Sequence, residues 1–166
     1  MTEKQEKTKD KLTLIVFSGD IDKVHAAFTL ATSAASMDQG VTMFFTFWGL
    51  NAIKKNPPRI KGKGFMQKAL NFVNRGGAKR LPMSKLNMVG AGPAMLKKMM
   101  KTNKIPTIDE FIKMASKLGV KMVGCEQSMS VMGIQKEDLV EEVSEVVGAV
   151  SYLGEAKDGN VNLFIS

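Results

Sequence analysis

A chain of 166 residues, 44% hydrophobic and 24% charged, is sized and composed for one globular domain with a core of its own, which excludes dependence on metals or disulfides for folding. A single cysteine and a single histidine exclude an internal disulfide and leave too few ligands for a Cys/His zinc site. The formal charge of +8 is uneven: the interval between Asp38 and Asp109 has no Asp or Glu and holds 14 of the 24 Lys and Arg residues, whereas the remainder carries 10 basic and 16 acidic residues, a balance of −6.

The first eleven residues contain no apolar run of the kind a secretory signal needs, and residues 1–10 are read as a solvated, disordered tail before a single domain over residues 11–166. Leu12–Phe17 is an apolar, β-branched run, the pattern of a strand covered on both faces. Ser18-Gly19-Asp20 is a turn, and Asp20 or Asp22 can cap the helix that follows. Val24, Ala27, Phe28, Leu30, Ala31 and Ala34 give that helix a wide apolar stripe. Gly40 closes the unit and Val41–Trp48 supplies a second strand, which implies a right-handed parallel crossover. The longest apolar run, Val41–Leu50, is about half of the ~20 residues a membrane-spanning helix needs.

The pattern then breaks. Residues 49–106 carry Pro57-Pro58, Gly62, Gly64, Gly76-Gly77, Gly90, Gly92-Pro93 and Pro106 among basic residues. Short helices fit at about Phe65–Val73 and Pro93–Met100. So long an irregular stretch in a small domain is usually a lid or a partner-binding segment. Five methionines within Met83–Met100 suit a surface that repacks against partners; the plainer reading is that the segment covers one face of the sheet. Its basic excess calls for an acidic partner.

Regularity returns at Thr107, which with Glu110 forms a capping box for a helix over Ile108–Leu118. Val120–Val123 reads as a strand, Gln127–Met132 as part of a helix after Gly124-Cys125, and Lys136–Glu142 as a short acidic helix. Val143–Val147 is a strand, Ala149–Ala156 a helix and Asn160–Ile165 a last strand. Five strands with interleaved helices predict a three-layer α/β/α sandwich around a mainly parallel sheet.

Chemistry-bearing residues are few. Cys125 follows a strand, where ligands gather in open α/β sheets. If a helix starts immediately after it, the sulfur faces unpaired amides and the positive end of the helix dipole. Such a setting can bring a thiol from about 8.5 into the range of roughly 3.5–7.5, and the same amides would hold the terminal sulfur of a persulfide. Gly124, Glu126 and Ser128 are the candidate substrate-binding neighbours. A lone cysteine is more often a small buried apolar residue; the glycine before it and the polar residues after it favour a reactive one. His25, early in the first helix, is the only candidate auxiliary base, although on an apolar face a histidine more often packs than reacts. No GxGxxG follows the first strand and no GxxxxGK[ST] occurs, so no nucleotide cofactor is expected, and no cofactor of any other kind. A single thiol without a CxxC partner suits carriage of sulfane sulfur or a mixed disulfide.

Several stretches together carry a resemblance: Ser18-Gly19-Asp20-x-Asp22-Lys23 after the first strand, Phe44-Phe45-Thr46-Phe47-Trp48-Gly49-Leu50, Gly124-Cys125-Glu126-x-Ser128-Met129-x-x-Met132-Gly133-Ile134, and Asn160–Ile165. On these the chain resembles the DsrE/DsrF-like family over about residues 11–166, in particular its DsrE-like putative-sulfurtransferase branch with a long central insertion, sometimes labelled "peroxiredoxin family". The resemblance implies a DsrEFH-like fold with a five-stranded parallel sheet, homo- or hetero-oligomers, and sulfur transfer through a cysteine persulfide in relays with TusA-like or rhodanese-like proteins. Cys125 takes the place of the family's functional cysteine. The peroxidase pattern Pro-x-x-x-Thr-x-x-Cys is missing, because Cys125 follows Val120-Lys121-Met122-Val123-Gly124.

The first functional expectation is a cytoplasmic sulfur carrier or sulfurtransferase loaded on Cys125. The alternative is a non-catalytic interaction subunit that docks a partner protein or an anionic membrane through the basic, Met-rich segment. Nucleic acid is not an expected partner, since Phe65, Phe72 and Trp48 form no evident stacking platform.

Overall fold

The computed structural model describes residues 10–56, 64–74, 76–85 and 91–166. Residues 1–9 of the expected tail and part of the central segment, including Pro57-Pro58, Gly62 and Gly90, lie outside the described residues.

Strand β1 (Lys11–Val16) leads through the Ser18–Asp20 turn into helix α1 (Ile21–Ser36), then β2 (Gly40–Phe45). The central segment contains a 3-10 turn at Phe47–Ile53, helix α2 (Phe65–Val73), a short 3-10 turn at Ala78–Arg80 and helix α3 (Ala91–Thr102). Helix α4 (Ile108–Lys117) leads to β3 (Lys121–Cys125), α5 (Glu126–Met132), β4 (Glu145–Val147), α6 (Ala149–Lys157) and β5 (Val161–Ile165). All strand pairs are parallel, in the order β4-β3-β2-β1-β5.

That order decides which face each helix covers. From β1 to β4 the chain steps one strand at a time in one direction, so right-handed crossovers lay α1, α4 and α5 on the same face. The β4-to-β5 connection returns across the sheet, which puts α6 on the other face. Side chains alternate along each strand. Leu12, Leu14, Val16, Val41, Met43, Phe45 and Met122 therefore join the main core with α1 and α4. Phe28 of α1 links the layers, its ring 6.0 Å from Phe45 and 6.1 Å from Phe111. The opposite face carries Ile15, Phe44, Val123 and Cys125 beneath Tyr152 of α6.

Among the described residues, cover on this second face is incomplete. Phe164 on β5 is 60% exposed, and Val150 and Leu153 of α6 are exposed as well. Polar groups fasten α6 in place. Glu155 accepts from Thr42 (2.9 Å) and Lys121 and pairs with Lys11, while Tyr152 donates to Thr13 (3.2 Å). Burial pushes the Glu155 carboxyl up, but the hydrogen bonds from Lys121 and Thr42 and the charges of Lys121 and Lys11 outweigh it and hold the group below the ordinary glutamate range.

Several elements differ from the sequence reading. β2 ends at Phe45, and Phe47 and Trp48 enter a 3-10 turn instead of extending the strand. The cause is a close backbone approach: a Cβ on Gly49 would stand 2.0 Å from the Val16 carbonyl oxygen, and Gly49 N–H donates to Phe17 O at 2.8 Å. Phe47 takes φ 45° to make that turn. β3 runs through Gly124 to Cys125, because both pair with β4. The expected acidic helix over 136–142 is only a 3-10 turn, Lys136–Asp138; the following residues serve instead to bridge Leu139 to Lys54 and Val140 to Ile53. The capping box at Thr107 and Glu110 is present, whereas Asp20 sits at the N-cap of α1 without a side-chain cap bond and Asp22 accepts from Ser84.

Candidate functional site

Cys125 closes β3 opposite Val147 of β4, at the carboxyl edge of the sheet. It is 5% exposed. Strand alternation turns its side chain onto the α6 face, into a cluster with Phe44, Val123 and Tyr152. The Tyr152 ring stacks on Phe44 with centroids 4.6 Å apart and planes 17° apart. Its hydroxyl reaches Thr13, which in turn binds Asn162. Burial raises the Tyr152 pKa, with Thr13 opposing and Glu155 adding to the rise.

Helix α5 does begin at Glu126, with Cys125 as its extended N-cap residue (φ −75°, ψ 113°), but the cysteine side chain makes no capping hydrogen bond. The expected cradle of amides around the sulfur is thus not formed. Cys125 still obeys the strand, whose alternation sends its side chain toward α6, while α5 departs over the other face.

The neighbouring candidates divide by role. Gly124 faces the main core, where an added Cβ would meet the Met129 sulfur at 3.0 Å and Leu139 at 3.4 Å; its lack of a side chain lets α5 lie close over β3. Ser128 is buried and shares a 2.7 Å hydrogen bond with Thr46, which ties α5 to the exit of β2. Glu126 is exposed in the first turn of α5. His25 lies on the α1/α4 side of the sheet, edge-on to Phe111 at 4.9 Å, with Nδ1 3.4 Å from the Thr29 hydroxyl. Burial lowers its pKa, against a smaller opposing effect of the Pro106 carbonyl. The structure therefore brings Gly124, Cys125 and Ser128 to one strand-helix junction and leaves His25 across the sheet.

Sequence reasoning missed Tyr152, Thr13 and Glu155, whose grouping depends on a strand and a helix 139 residues apart. It also missed that Lys54, in the basic segment, is buried: its Nζ donates to Asn71 Oδ1 at 3.3 Å, and burial lowers its pKa against the charge of Asp138. At the carboxyl edge, the rings of Phe47 and Phe164 flank Phe17 at 5.6 and 6.0 Å, and Trp48 beside them is 43% exposed. Among the described residues, no group of three or more His, Cys, Asp or Glu side chains could hold a metal ion, and no helix is long and apolar enough to cross a membrane.

An all-parallel five-stranded α/β sheet with one thiol at its carboxyl edge defines the class, and the comparisons define the family. The chain belongs to the DsrE/DsrF/DrsH-like family, whose model matches residues 8–164. It is 40% identical over 165 residues to the uncharacterized protein YrkE of Bacillus subtilis (strain 168), covering 99% of this chain and all of that one. It is 29% identical over 156 residues to the sulfur carrier protein DsrE2 of Allochromatium vinosum, covering 93% and 98% of the two chains. The fold is shared with ychN from E. coli (TM-score 0.55, 10% identity, 93% and 98% covered) and with MTH1491 from Methanobacterium thermoautotrophicum (TM-score 0.52, 9% identity, 93% and 97% covered).

Proposed function

We propose that this protein is a cytoplasmic sulfur carrier that holds sulfane sulfur as a persulfide on Cys125. The observation that carries the reading is the position of the chain's one cysteine, on the last residue of β3 at the carboxyl edge of the sheet; a family membership shared with a relative named as a sulfur carrier supports it. The Cys125 thiolate attacks the outer sulfur of a donor persulfide. A new S–S bond forms on Cys125, the donor's S–S bond breaks, and the donor leaves as a thiolate, so no external oxidant is consumed. An acceptor thiol reverses the step. Donors and acceptors are TusA-like or rhodanese-like relay proteins. Because Cys125 is buried in the cluster that it forms with Phe44, Val123 and Tyr152, loading needs α6 to shift or the carboxyl edge to open. Gly124 and Ser128 hold α5 in place at this junction, and Glu126 is the polar group that an incoming partner meets.

The exposed Phe47, Phe164 and Leu153 support a further part of this proposal, that copies of the chain associate into a homo-oligomer through the thinly covered side of the sheet. Intact-mass measurement after polysulfide treatment tests the carrier role. A gain of about 32 Da, reversed by reductant and absent in Cys125→Ala, is expected; a native thiol that takes up no sulfur under these conditions refutes it.

A second reading rests on α2 and α3. Phe65, Met66, Phe72 and Val73 are exposed on one, Met95 and Met99 on the other. A non-catalytic subunit would use these helices and their lysines to dock a partner protein or an anionic membrane. Binding that survives Cys125→Ala but fails on neutralising Lys97, Lys98 and Lys101 favours this reading over the first.

A further inference from the structure

A cleft of about 870 Å³ lies between the C-terminal half of α3, the 3-10 turn at Ala78–Arg80 and the start of α4. This is the size of an ordinary small-molecule site. It opens at the same edge of the sheet as Cys125, since α1 and α4 both start there and Ile21 and Thr107–Glu110 line it. Its floor is apolar: Ile21 and Ala78 are buried there, with Met100, Ile105, Ile108 and Met114 along the walls.

Four lysines, Lys79, Lys97, Lys101 and Lys104, stand around this apolar floor against two carboxylates. Both carboxylates are already engaged. Glu110 closes the capping box on Thr107, and Asp109 accepts from Asn56 (3.4 Å) and faces Lys97. Lys97 donates to the Lys79 carbonyl at 2.6 Å, and burial lowers its pKa more than Asp109 raises it, so a further anion nearby would relieve the ammonium. Lys101 and Lys104 are exposed at the rim, and Lys104 takes φ 56°, turning the chain sharply between α3 and α4.

We propose that this cleft binds a monomeric amphipathic anion, a single-chain alkyl or acyl carboxylate, with its tail on Ile21, Ala78 and Met114 and its head at Lys101 and Lys104. Apolar burial supplies affinity and the lysine rim selects the sign of the head group. The site is independent of sulfur chemistry.

Isothermal titration of the full chain with decanoate, below its micelle concentration, tests the proposal, with decanol and decyltrimethylammonium as controls. Saturable one-to-one binding of decanoate is expected, at least about tenfold tighter than either control. Lys101→Gln/Lys104→Gln, confined to exposed side chains, should weaken it by about tenfold, and Met114→Glu should abolish it, whereas Cys125→Ala should leave it intact. Equal affinity for decanol, unsaturable uptake, or a lysine double variant that binds like the wild type overturns the proposal. Should Met114→Glu fail to fold, the lysine variant and the head-group controls still decide.

Discussion

Tyr152 lies flat on Phe44, their centroids 4.6 Å apart, and the only thiol of the chain is packed into the same cluster. The phenol hydroxyl is anchored to Thr13 on the central strand. One aromatic side chain therefore completes the thin layer on this face, within the cluster that buries Cys125.

Removing that ring should expose the sulfur. Tyr152→Ala is expected to raise the alkylation rate of Cys125 by tenfold or more and to destabilise the fold by about 3 kcal/mol, the usual loss for a buried aromatic. Tyr152→Phe keeps the ring and loses only the bond to Thr13, at about 1 kcal/mol; its thiol should stay as slow as the wild type. Timed iodoacetamide labelling with mass detection, alongside thermal unfolding, measures both. An alanine variant as unreactive as the parent would show that Tyr152 is not the barrier.

Glu155 sets the acid response of the same helix. Its folded pKa is depressed by Lys121, Thr42 and Lys11 despite the opposing effect of burial. The sign follows: the stabilisation is fully present above the ordinary glutamate value of about 4.3 and is lost as pH falls below it toward the folded value. Amide exchange in α6 should accelerate relative to the core as the pH drops through this window. Glu155→Gln should already be accelerated at neutral pH and show a flatter profile. If α6 and the α1/α4 core lose protection in parallel in both proteins, this coupling is absent.

Two glycines should differ sharply in tolerance. At Gly124 an added methyl meets the flexible end of Met129 at 3.0 Å, whereas at Gly49 it meets the Val16 carbonyl oxygen at 2.0 Å. Gly124→Ala should cost about 1–2 kcal/mol as α5 shifts, while Gly49→Ala forces backbone apart between β1 and the 3-10 turn and should prevent soluble expression or cost well above that. Chemical denaturation of the two variants ranks them, and comparable midpoints would refute the close approach.

These contrasts show what the sequence made legible. The strand expected over Leu12–Phe17 and the Thr107/Glu110 box declare themselves locally, one by an unbroken apolar run and the other by a four-residue hydrogen-bond pattern; the first is observed as Lys11–Val16 and the second as expected. Phe47 and Trp48 continue an apolar run yet leave the strand, because Gly49 must press its backbone against β1, a constraint no local window contains. Gly124, which the sequence pattern places just after the strand, is a strand residue whose missing side chain makes room for Met129. The α6 cover over Cys125 was illegible for the same reason: Tyr152, Thr13 and Glu155 meet only after the chain crosses the sheet.

Lys54 shows how tertiary context reverses a compositional signal. It is one of 14 basic residues in an acid-free interval, yet it is 2% exposed, donates to Asn71 and faces the charge of Asp138. Asn71 in turn donates to the Met132 carbonyl at 2.8 Å, so the ammonium lies between the exit of the 3-10 turn, α2 and the end of α5. Lys54→Met retains the length of the stem and removes the charge. It removes the donor to Asn71 and the charge that faces Asp138, and should destabilise the fold by about 1–3 kcal/mol, the usual loss when a buried hydrogen-bond partner is removed. Adding Asp138→Asn should recover part of that loss, because an uncharged amide, whose oxygen can still accept from the Gln135 N–H as Asp138 does at 3.0 Å, tolerates burial better than a carboxylate that has lost a facing charge. A double-mutant cycle on thermal unfolding gives the coupling directly; purely additive losses would mean that the charges of Lys54 and Asp138 are not coupled.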